Sequence, residues 1–507
     1  MNNGKVCVSV CAATADEMIS KIKQAEELAD VIEVRFDCLC SEDEIETTFD
    51  LLETCQVSKP LIATFRSAEQ GAKNSATFDQ RKVFWQKARP RFYAADVEED
   101  VSPFAKNWNK RIASFHDLNG VPAELEAVFE KLNTTDADVI KIAVQANDIT
   151  DSIPVWKLLE RARTGGRSLI PIAMGEEGKW TRILGLAHGA FLTYGALADG
   201  DETAPGQITA KDLTEVFRVK ELDLGTQIYG VMGDPVSASL SPYMHNAAFV
   251  EQGVNAVFVP LQVKDLDAFV RRMVKADTRE VELNFSGFAV TMPHKQMIIK
   301  HLDTIDPTAE KIGAVNTVSI VDGKLTGYNT DADGFVTPLI ERFGDLRGAR
   351  AAVFGTGGAA RACVFALKGR DTEVTVFARD TKKAQGFADE FDVEMSEISK
   401  IKSRRSKLEN FDIVVNATPI GMKGPLENES LFTADQLEGV KCVYDLVTSS
   451  TDTPTISEAK KTNVSAIDGF EMLLHQGAKQ FEIWTGQTAS MEKMRAAMRN
   501  KIGRTKE

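Results

Sequence analysis

Short runs of β-branched and apolar residues recur through the first 220 or so positions, separated by amphipathic, charged stretches. That rhythm is the strand–helix alternation of a parallel sheet. The runs are KVCVSVC from Lys5, VIEVRF from Val31, PLIATFR from Pro60, FYAADV from Phe92, RIASFH from Arg111, VIKIAV from Val139, SLIPIAM from Ser168 and FLTYGAL from Phe191. Eight strands in ~200 residues with helical spacers predict a (β/α)8 barrel, in which functional side chains gather where strands end. Glu33 and Arg35 close the second run, Arg66 the third and His116 the fifth. Lys141 lies inside the sixth between apolar neighbours. Alternation turns it to the opposite face from them, which in a barrel is the interior.

The barrel pattern ends with GQITAKDLTEVFRV, an amphipathic stretch suited to a last barrel helix, and KELDLGTQIYGVMGDP starts a new strand. The boundary is therefore placed near residues 222 to 226, with no Pro/Ser-rich spacer to hold the halves apart. Further on, the apolar strand AAVF runs into Gly355, Gly357 and Gly358 and then into a helical pattern, followed by the strands EVTVFARD, DIVVNATP and KCVYDLV. A strand, a glycine turn and a helix in that order predict a Rossmann-type dinucleotide-binding domain. The spacing is GxGGxxR, so a third close helix contact falls to Ala359 and Ala360 or is not made at all. The expected domains are an α/β TIM barrel at 1–222, an α/β substrate-binding domain at 227–333 plus 469–507, and a Rossmann domain at 334–468.

Composition adds exclusions. Of 507 residues, 43% are hydrophobic and 26% charged, as in soluble globular proteins. A formal charge of −14 disfavours nucleic-acid or anionic-membrane partners. Seven cysteines are scattered without zinc-type pairs, which fits a reducing cytosol and no metal. The start MNNGKVCVSV lacks a signal or transit pattern, and no apolar run reaches the ~20 residues of a membrane helix. A cytoplasmic location is expected.

The barrel residues suggest imine chemistry. A buried lysine is an amine able to condense with a ketone. A strand-end histidine one strand earlier supplies an acid/base, and Arg35, Arg66 and Arg182 offer cations to a carboxylate or hydroxyls. With EVRFD at Glu33, TFR at Thr64, SFHD at Ser114, DVIKIA at Asp138, PIAMGEEGKWTR at Pro171 and TAPGQI at Thr203, this half resembles type I 3-dehydroquinate dehydratase. The resemblance implies that Lys141 forms an imine with the C3 ketone of 3-dehydroquinate. It implies that His116 removes a C2 proton and protonates the departing C1 hydroxyl, giving 3-dehydroshikimate. Glu33, Arg35, Arg66, Arg182, Thr203 and Gln207 fall where that family holds substrate. The family usually has a glutamate four residues after the arginine of TFR, where this chain has Gln70, preceded by Glu69.

In the second half, Ser239 and Ser241 before Pro242 read as an N-cap signal for a helix starting near Tyr243. Lys295 after MPH and Asp331 in NTDADG, if they converge, form a proton relay to an alkoxide. The strand EVTVFARD ends in Arg379, with Lys383 near, where NAD-specific domains place an acid; both favour a 2′-phosphate and hence NADP(H). Together with GAVNTVSI, NATPIGM at Asn416 and DGFEMLLHQGAKQFEIWTG at Asp468, these motifs resemble shikimate dehydrogenase from Ile228 to roughly Gly486. The resemblance implies Ser239 and Ser241 on the shikimate carboxylate, Thr291, Asn316 and Gln476 on hydroxyls, and Lys295 with Asp331 in catalysis. Cofactor contacts are expected at Gly355, Gly357, Gly358, Ala359, Arg379, Lys383, Asn416, Thr418 and Gly469. Thr448 stands where the family often has tyrosine. The expected activity is conversion of 3-dehydroquinate to 3-dehydroshikimate and then shikimate. The alternatives are a catabolic quinate dehydrogenase, and a chain whose lyase half has decayed to a binding or regulatory module.

Overall fold

A computed structural model describes residues 4–87, 91–400, 408–449, 451–462 and 464–504. The outermost residues of the expected first and second domains, 1–3 and 505–507, lie outside the described residues. The chain divides into two compact units, Met1–Ser239 with Asn255–Phe285, and Leu240–Val254 with Ser286–Glu507.

All eight apolar runs of the first segment are strands: β1 (Lys5–Val10), β2 (Val31–Arg35), β3 (Leu61–Thr64), β4 (Ala94–Glu98), β5 (Arg111–Asp117), β6 (Val139–Gln145), β7 (Leu169–Met174) and β8 (Leu192–Gly195). They form one parallel sheet in the order β7-β6-β5-β4-β3-β2-β1-β8. Its two ends approach each other where Phe191 N–H donates to the Leu169 carbonyl at 2.9 Å. Capped helices connect several strands: Thr14 caps Ala15–Ala25, Ser41 caps Glu42–Thr54, and Thr77 with Gln80 forms a capping box on Phe78–Gln86. Two spacers depart from expectation. Between β4 and β5 the helix is reduced to the 3-10 turn Ser102–Phe104, where Pro103 supplies no backbone donor. The last barrel helix is short and contains a π turn, Asp212–Val216.

Alternation sorts the strands into an outer and an inner face. Inward-facing Cys7, Val31, Ile62, Ala94, Ile112, Val139, Ile170 and Leu192 pack as an apolar floor. Two residues further along the same strands stand Ser9, Glu33, Thr64, Asp96, Ser114, Lys141 and Tyr194, all buried. The barrel is therefore apolar below and polar above. Cysteine behaves otherwise than its spacing suggests. Cys11, just past β1, and Cys38, just past β2, are joined by a disulfide of 2.07 Å, while the other five cysteines are free. Adjacent parallel strands bring together two positions 27 residues apart.

The first unit also contains β9 (Gln227–Gly233) and β10 (Ala256–Gln262), paired in parallel. They are tied to the barrel segment by Arg218 Nη2 donating to the Ala256 carbonyl at 2.7 Å. Lys157 and Glu280 add an exposed ion pair at 2.6 Å.

In the second unit lie β11 (Phe285–Val290) from Ser286 onward, β12 (Thr304–Ile305), β13 (Thr317–Val321) and β14 (Lys324–Tyr328). β13 is antiparallel to both β11 and β14, and β12 runs parallel to β14. The remaining sheet is wholly parallel: β15 (Arg350–Phe354), β16 (Glu373–Ala378), β17 (Glu394–Glu397), β18 (Ile413–Asn416), β19 (Cys442–Asp445) and β20 (Ser465–Ile467). Its order β17-β16-β15-β18-β19-β20 is that of a doubly wound dinucleotide fold, with the topological switch point between β15 and β18. Separate apolar clusters, one around Val353 and Val415 and one around Ala352 and Val414, cover its two faces. No helix among the described residues is long and apolar enough to cross a membrane.

Asp445 at the end of β19 is fully buried and accepts from Asn416 Nδ2 at 2.8 Å, Val447 N at 3.1 Å and Thr453 Oγ1 at 2.5 Å. Burial outweighs these donors and pushes its carboxyl up to about 6, from 3.8. A raised carboxyl pKa means that its stabilising contribution is complete below pH ~4 and is lost as pH rises through ~6. The loss amounts to about 3 kcal/mol as an upper figure. Asp445→Asn is expected to flatten the fall in unfolding free energy between pH 4 and 7, measured by denaturant titration at each pH. Parallel slopes in variant and parent exclude this assignment.

Candidate active sites

The polar layer of the barrel is one connected network. Lys141 Nζ donates to Asp96 Oδ2 at 2.7 Å and lies 3.4 Å from Glu33 Oε1, with the Tyr194 ring centroid 4.1 Å away. Glu33 is gripped from its other sides by Ser9 Oγ and by Thr64 Oγ1 at 2.9 Å. Arg66 reaches Asp96 at 3.1 Å, Glu98 at 3.4 Å and Ser114 Oγ at 2.9 Å. Although burial opposes ionisation of Asp96, Arg66, Lys141 and His116 hold its carboxyl well below the usual range. Lys141 is thus buried as expected, but in the company of two carboxylates, which burial alone did not suggest.

Above this layer Arg35 makes a bidentate pair with Asp37 at 2.8 and 2.7 Å, and Asp37 also accepts from Arg66 N–H at 3.3 Å and Lys73 N–H at 3.2 Å. His116 sits two residues beyond Ser114, the register partner of Lys141, and so faces the same interior. Gln70 Oε1 accepts from His116 N–H at 2.8 Å and lies 3.2 Å from His116 Nδ1. An oxygen already receiving a backbone N–H takes Nδ1 as a second donor, which leaves Nε2 with the free lone pair. Burial, then Arg66 and Lys141, push the His116 pKa well down, so the ring is a neutral base at pH 7.

Arg182 is different from the other arginines. It is buried, its Nη2 donates to the Pro205 carbonyl at 3.2 Å, and its Nε finds no partner. Desolvation pushes it down to about 10. A buried guanidinium without a carboxylate is a prepared anion site. Beside it, Thr203 N–H donates to Gln207 Oε1 at 2.7 Å, and Gln207 Nε2 returns a bond to Thr203 Oγ1 at 3.2 Å.

Sequence reasoning did not single out Asp96, Glu98, Asp37 or Tyr194. The signal was present in FYAADV and EVRFD, where alternation puts an acid on the Lys141 face and a second acid two residues after Arg35. Their partners lie on other strands, however, which one strand's pattern does not reveal.

In the second unit Lys295 Nζ and Asp331 Oδ2 are 2.5 Å apart. Asp331 opens the helix Asp331–Phe343, and its other oxygen accepts from Asn316 Nδ2 at 2.8 Å. Asn316 Nδ2 also lies 3.2 Å from Gln476 Oε1, on the helix Gly469–Thr485. Four predicted residues therefore converge. Thr291 follows the end of β11, its carbonyl accepting from His294 N–H at 3.0 Å. The N-cap expectation is corrected: the helix begins at Ser241, its cap position is Leu240, and Pro242 occupies the first turn. Ser239 belongs to the first unit and Ser241 to the second.

The glycine turn fits a dinucleotide. Gly355 has φ +119°, and a Cβ there would meet the Ala417 carbonyl at 2.6 Å. Gly357 caps the helix Gly358–Lys368, and a Cβ at Gly357 would meet nothing within 4 Å, so the helix N-terminus is open to an anion. A Cβ on Gly358 would come within 3.0 Å of Lys295 Cβ, which sets the turn against the lysine–aspartate pair. Ala359 follows in the first helical turn, and Ala360 is the buried small residue of that turn. Asn416 Oδ1 accepts from Thr418 N at 3.0 Å and Oγ1 at 2.7 Å, in the turn that follows β18. Gly469 packs on the Leu446 carbonyl, and its own carbonyl accepts from Thr448 Oγ1 at 3.4 Å. Arg379 and Lys383 are exposed beyond β16, where nothing buries them away from a ligand. Among the described residues no group of three or more His, Cys, Asp or Glu is placed to hold a metal.

Gln70→Glu is expected to raise the His116 pKa by about one unit or more, since it sets a carboxylate beside Nδ1. Glu69→Gln, which neutralises an exposed carboxylate while the ring's bond to Gln70 stays, is expected to leave it in place. NMR titration of the histidines reads both; an unmoved His116 in Gln70→Glu contradicts the contact.

Comparison with known proteins agrees along the whole chain. Family models match for type I 3-dehydroquinase at residues 6–223 and the shikimate dehydrogenase substrate binding domain at 231–318. Shikimate / quinate 5-dehydrogenase matches at 339–470 and the shikimate 5′-dehydrogenase C-terminal domain at 469–499. The chain is 30% identical over 518 residues to the chloroplastic bifunctional 3-dehydroquinate dehydratase/shikimate dehydrogenase of Arabidopsis thaliana, covering 97% of this chain and 83% of the relative. It is 40% identical over 282 residues to shikimate dehydrogenase (NADP(+)) of Methanocaldococcus jannaschii, covering 55% of this chain and 98% of the relative. A crystal structure of shikimate dehydrogenase in complex with NADP+ superposes with a TM-score of 0.50 at 38% identity, covering 55% of this chain and 97% of that one.

Proposed function

We infer that this chain, which belongs to the bifunctional 3-dehydroquinate dehydratase/shikimate dehydrogenase family, dehydrates 3-dehydroquinate and reduces the resulting 3-dehydroshikimate to shikimate with NADPH. The single observation that carries the reading is that two complete, chemically distinct centres stand in one chain: a buried amine beside a neutral histidine, and a lysine–aspartate pair beside a dinucleotide turn. Both activities measured on the full chain test it.

In the first centre the Lys141 amine attacks the substrate ketone, and loss of water gives an imine. The unmatched Arg182 receives the substrate carboxylate, with Thr203 and Gln207 at the same rim and Arg35 and Glu33 toward hydroxyls. Nε2 of His116 takes the proton from the carbon next to the imine, and electron flow into the imine generates an enamine. His116, now protonated, returns the proton to the departing hydroxyl, which leaves as water. Hydrolysis of the conjugated imine then frees Lys141. The completeness of this network favours an active lyase over a decayed one.

In the second centre Lys295 holds a proton where oxygen charge develops, and Asp331 orients it while Asn316 fixes the carboxylate. Ser239, Ser241, Thr291 and Gln476 are assigned to the substrate carboxylate and hydroxyls. NADPH, when bound, supplies the hydride. Gly355, Gly357, Gly358 and Ala359 hold its pyrophosphate at a helix N-terminus, with Asn416, Thr418 and Gly469 lining the switch point and Arg379 and Lys383 on the 2′-phosphate. We assign the domains as 1–222, 227–333 with 469–507, and 334–468. The partners are small molecules. A cytoplasmic location is proposed on the five free cysteines, against the one Cys11–Cys38 bond.

Borohydride added with 3-dehydroquinate is expected to leave a covalent mass adduct on Lys141, and none on Lys141→Ala; an adduct on another lysine defeats the assignment. A charge-assisted bond from Arg379 is worth about 1.5–3 kcal/mol, or roughly 10- to 150-fold in affinity. Arg379→Ala is therefore expected to lose most of the preference for NADP over NAD, read as the ratio of kcat/KM for the two. An unchanged ratio rules the contact out.

A further inference from the structure

Past β10 the chain turns through Val263–Asp265, and Lys264 docks there on two barrel loops. Its Nζ is 2.7 Å from Glu177 Oε1 and donates to the Asn147 carbonyl at 2.7 Å. The backbone N–H groups of Lys264 and Asp265 both donate to Asp148 Oδ2, at 3.2 and 3.1 Å. Asp148 also caps the 3-10 turn that follows β6. These loops follow β6 and β7 at the strand ends where the lyase side chains emerge.

Glu177 leads directly to substrate-binding groups. It is largely buried, and one of its oxygens lies where a Cβ on Gly175 would come within 2.9 Å. Gly175 has φ +90°, and its carbonyl would be 2.1 Å from a Cβ on Gly206, so the β7 loop rests on the segment that carries Thr203 and Gln207. Gly175 N–H and Arg182 Nη2 both donate to the Pro205 carbonyl, each at 3.2 Å. One carbonyl thus couples the seat of Glu177 to the orientation of Arg182.

We propose that Lys264, contributed from beyond the lyase barrel, is a positioning residue for the lyase, holding the Glu177 loop so that Arg182, Thr203 and Gln207 present to the substrate carboxylate. Without it a mostly buried carboxylate loses its cation, and such a group relaxes toward water and takes its loop with it. Since Lys264 touches no reacting atom, its loss acts on binding. The proposal rests on the barrel being a 3-dehydroquinate dehydratase. If that reading fails, the parent chain itself does not turn over 3-dehydroquinate; if only this one fails, the parent turns over and the variants match it.

The full-length parent, Lys264→Gln, Glu177→Gln, their double variant and Lys264→Arg are to be compared in both assays, with thermal melts. Each Gln variant is expected to raise KM for 3-dehydroquinate five- to twentyfold with kcat within twofold. The double variant should be no worse than the poorer single one, because both remove one interaction. Lys264→Arg should stay within threefold of the parent, and shikimate oxidation should stay within twofold throughout. Unchanged KM in Lys264→Gln overturns the proposal. So do additive losses in the double variant, or equal losses in both activities, which signal general distortion. Should a Gln variant melt early, Lys264→Arg and Lys264→Met decide: a Met variant that melts like the parent and keeps its KM overturns the proposal as well.

Discussion

Four buried cations, Arg35, Arg66, Arg81 and Lys141, pair with four buried carboxylates, Glu33, Asp37, Asp96 and Glu98, and Arg81 also holds the exposed Asp100. Ions in such a place are tolerable only when each is paired and its remaining donors or lone pairs are satisfied. The pairing is nearly closed, with Glu98 shared by Arg66 and Arg81 and Asp96 shared by Arg66 and Lys141. Arg182 stands outside the count. Buried against a neutral carbonyl, it is the cation to which the proposed substrate carboxylate is assigned.

The same economy governs the second centre on a smaller scale. Lys295 and Asp331 pair with each other, and the groups assigned to a dinucleotide's charge are an open helix N-terminus and exposed cations past β16. The difference in burial is instructive. A phosphate keeps part of its hydration, which suits the exposed cations assigned to it; an imine needs protection from water until elimination is complete, which suits the depth of Lys141.

Much of this was legible in the chain. A period-2 pattern needs only local information, and it located all eight barrel strands and turned Lys141 inward. The glycine turn and the order of the strands after it were similarly local. What escaped was non-local. Asp96 owes its importance to β6 and β3, and Cys11 meets Cys38 only because β1 and β2 lie side by side. The N-cap expectation at Ser239 and Ser241 failed through competition. A proline in the first turn suits the helix start whichever residue caps it, and Leu240 took the cap position although it has no side-chain acceptor. The contracted β4–β5 connection shows the converse, a spacer too short for the helix that the alternation implied.

Gln70 is best understood through the same charge count. A glutamate there would set a carboxylate against His116 Nδ1, and the pair would balance internally as imidazolium and carboxylate. With the amide, the ring is left to its surroundings, where burial, Arg66 and Lys141 all disfavour protonation. In the proposed mechanism the base is ready before substrate arrives, and Asp96 favours the imidazolium that proton abstraction forms. A poorly stabilised imidazolium is a strong acid, and a strong acid is what the departing hydroxyl requires. The amide thus moves the difficulty from returning the proton to removing it. Abstraction is the step already assisted by the imine, which acidifies the adjacent carbon. On the proposed mechanism, glutamine in place of glutamate shifts the barrier toward proton abstraction, while the hydrogen bonds that aim the ring stay in place.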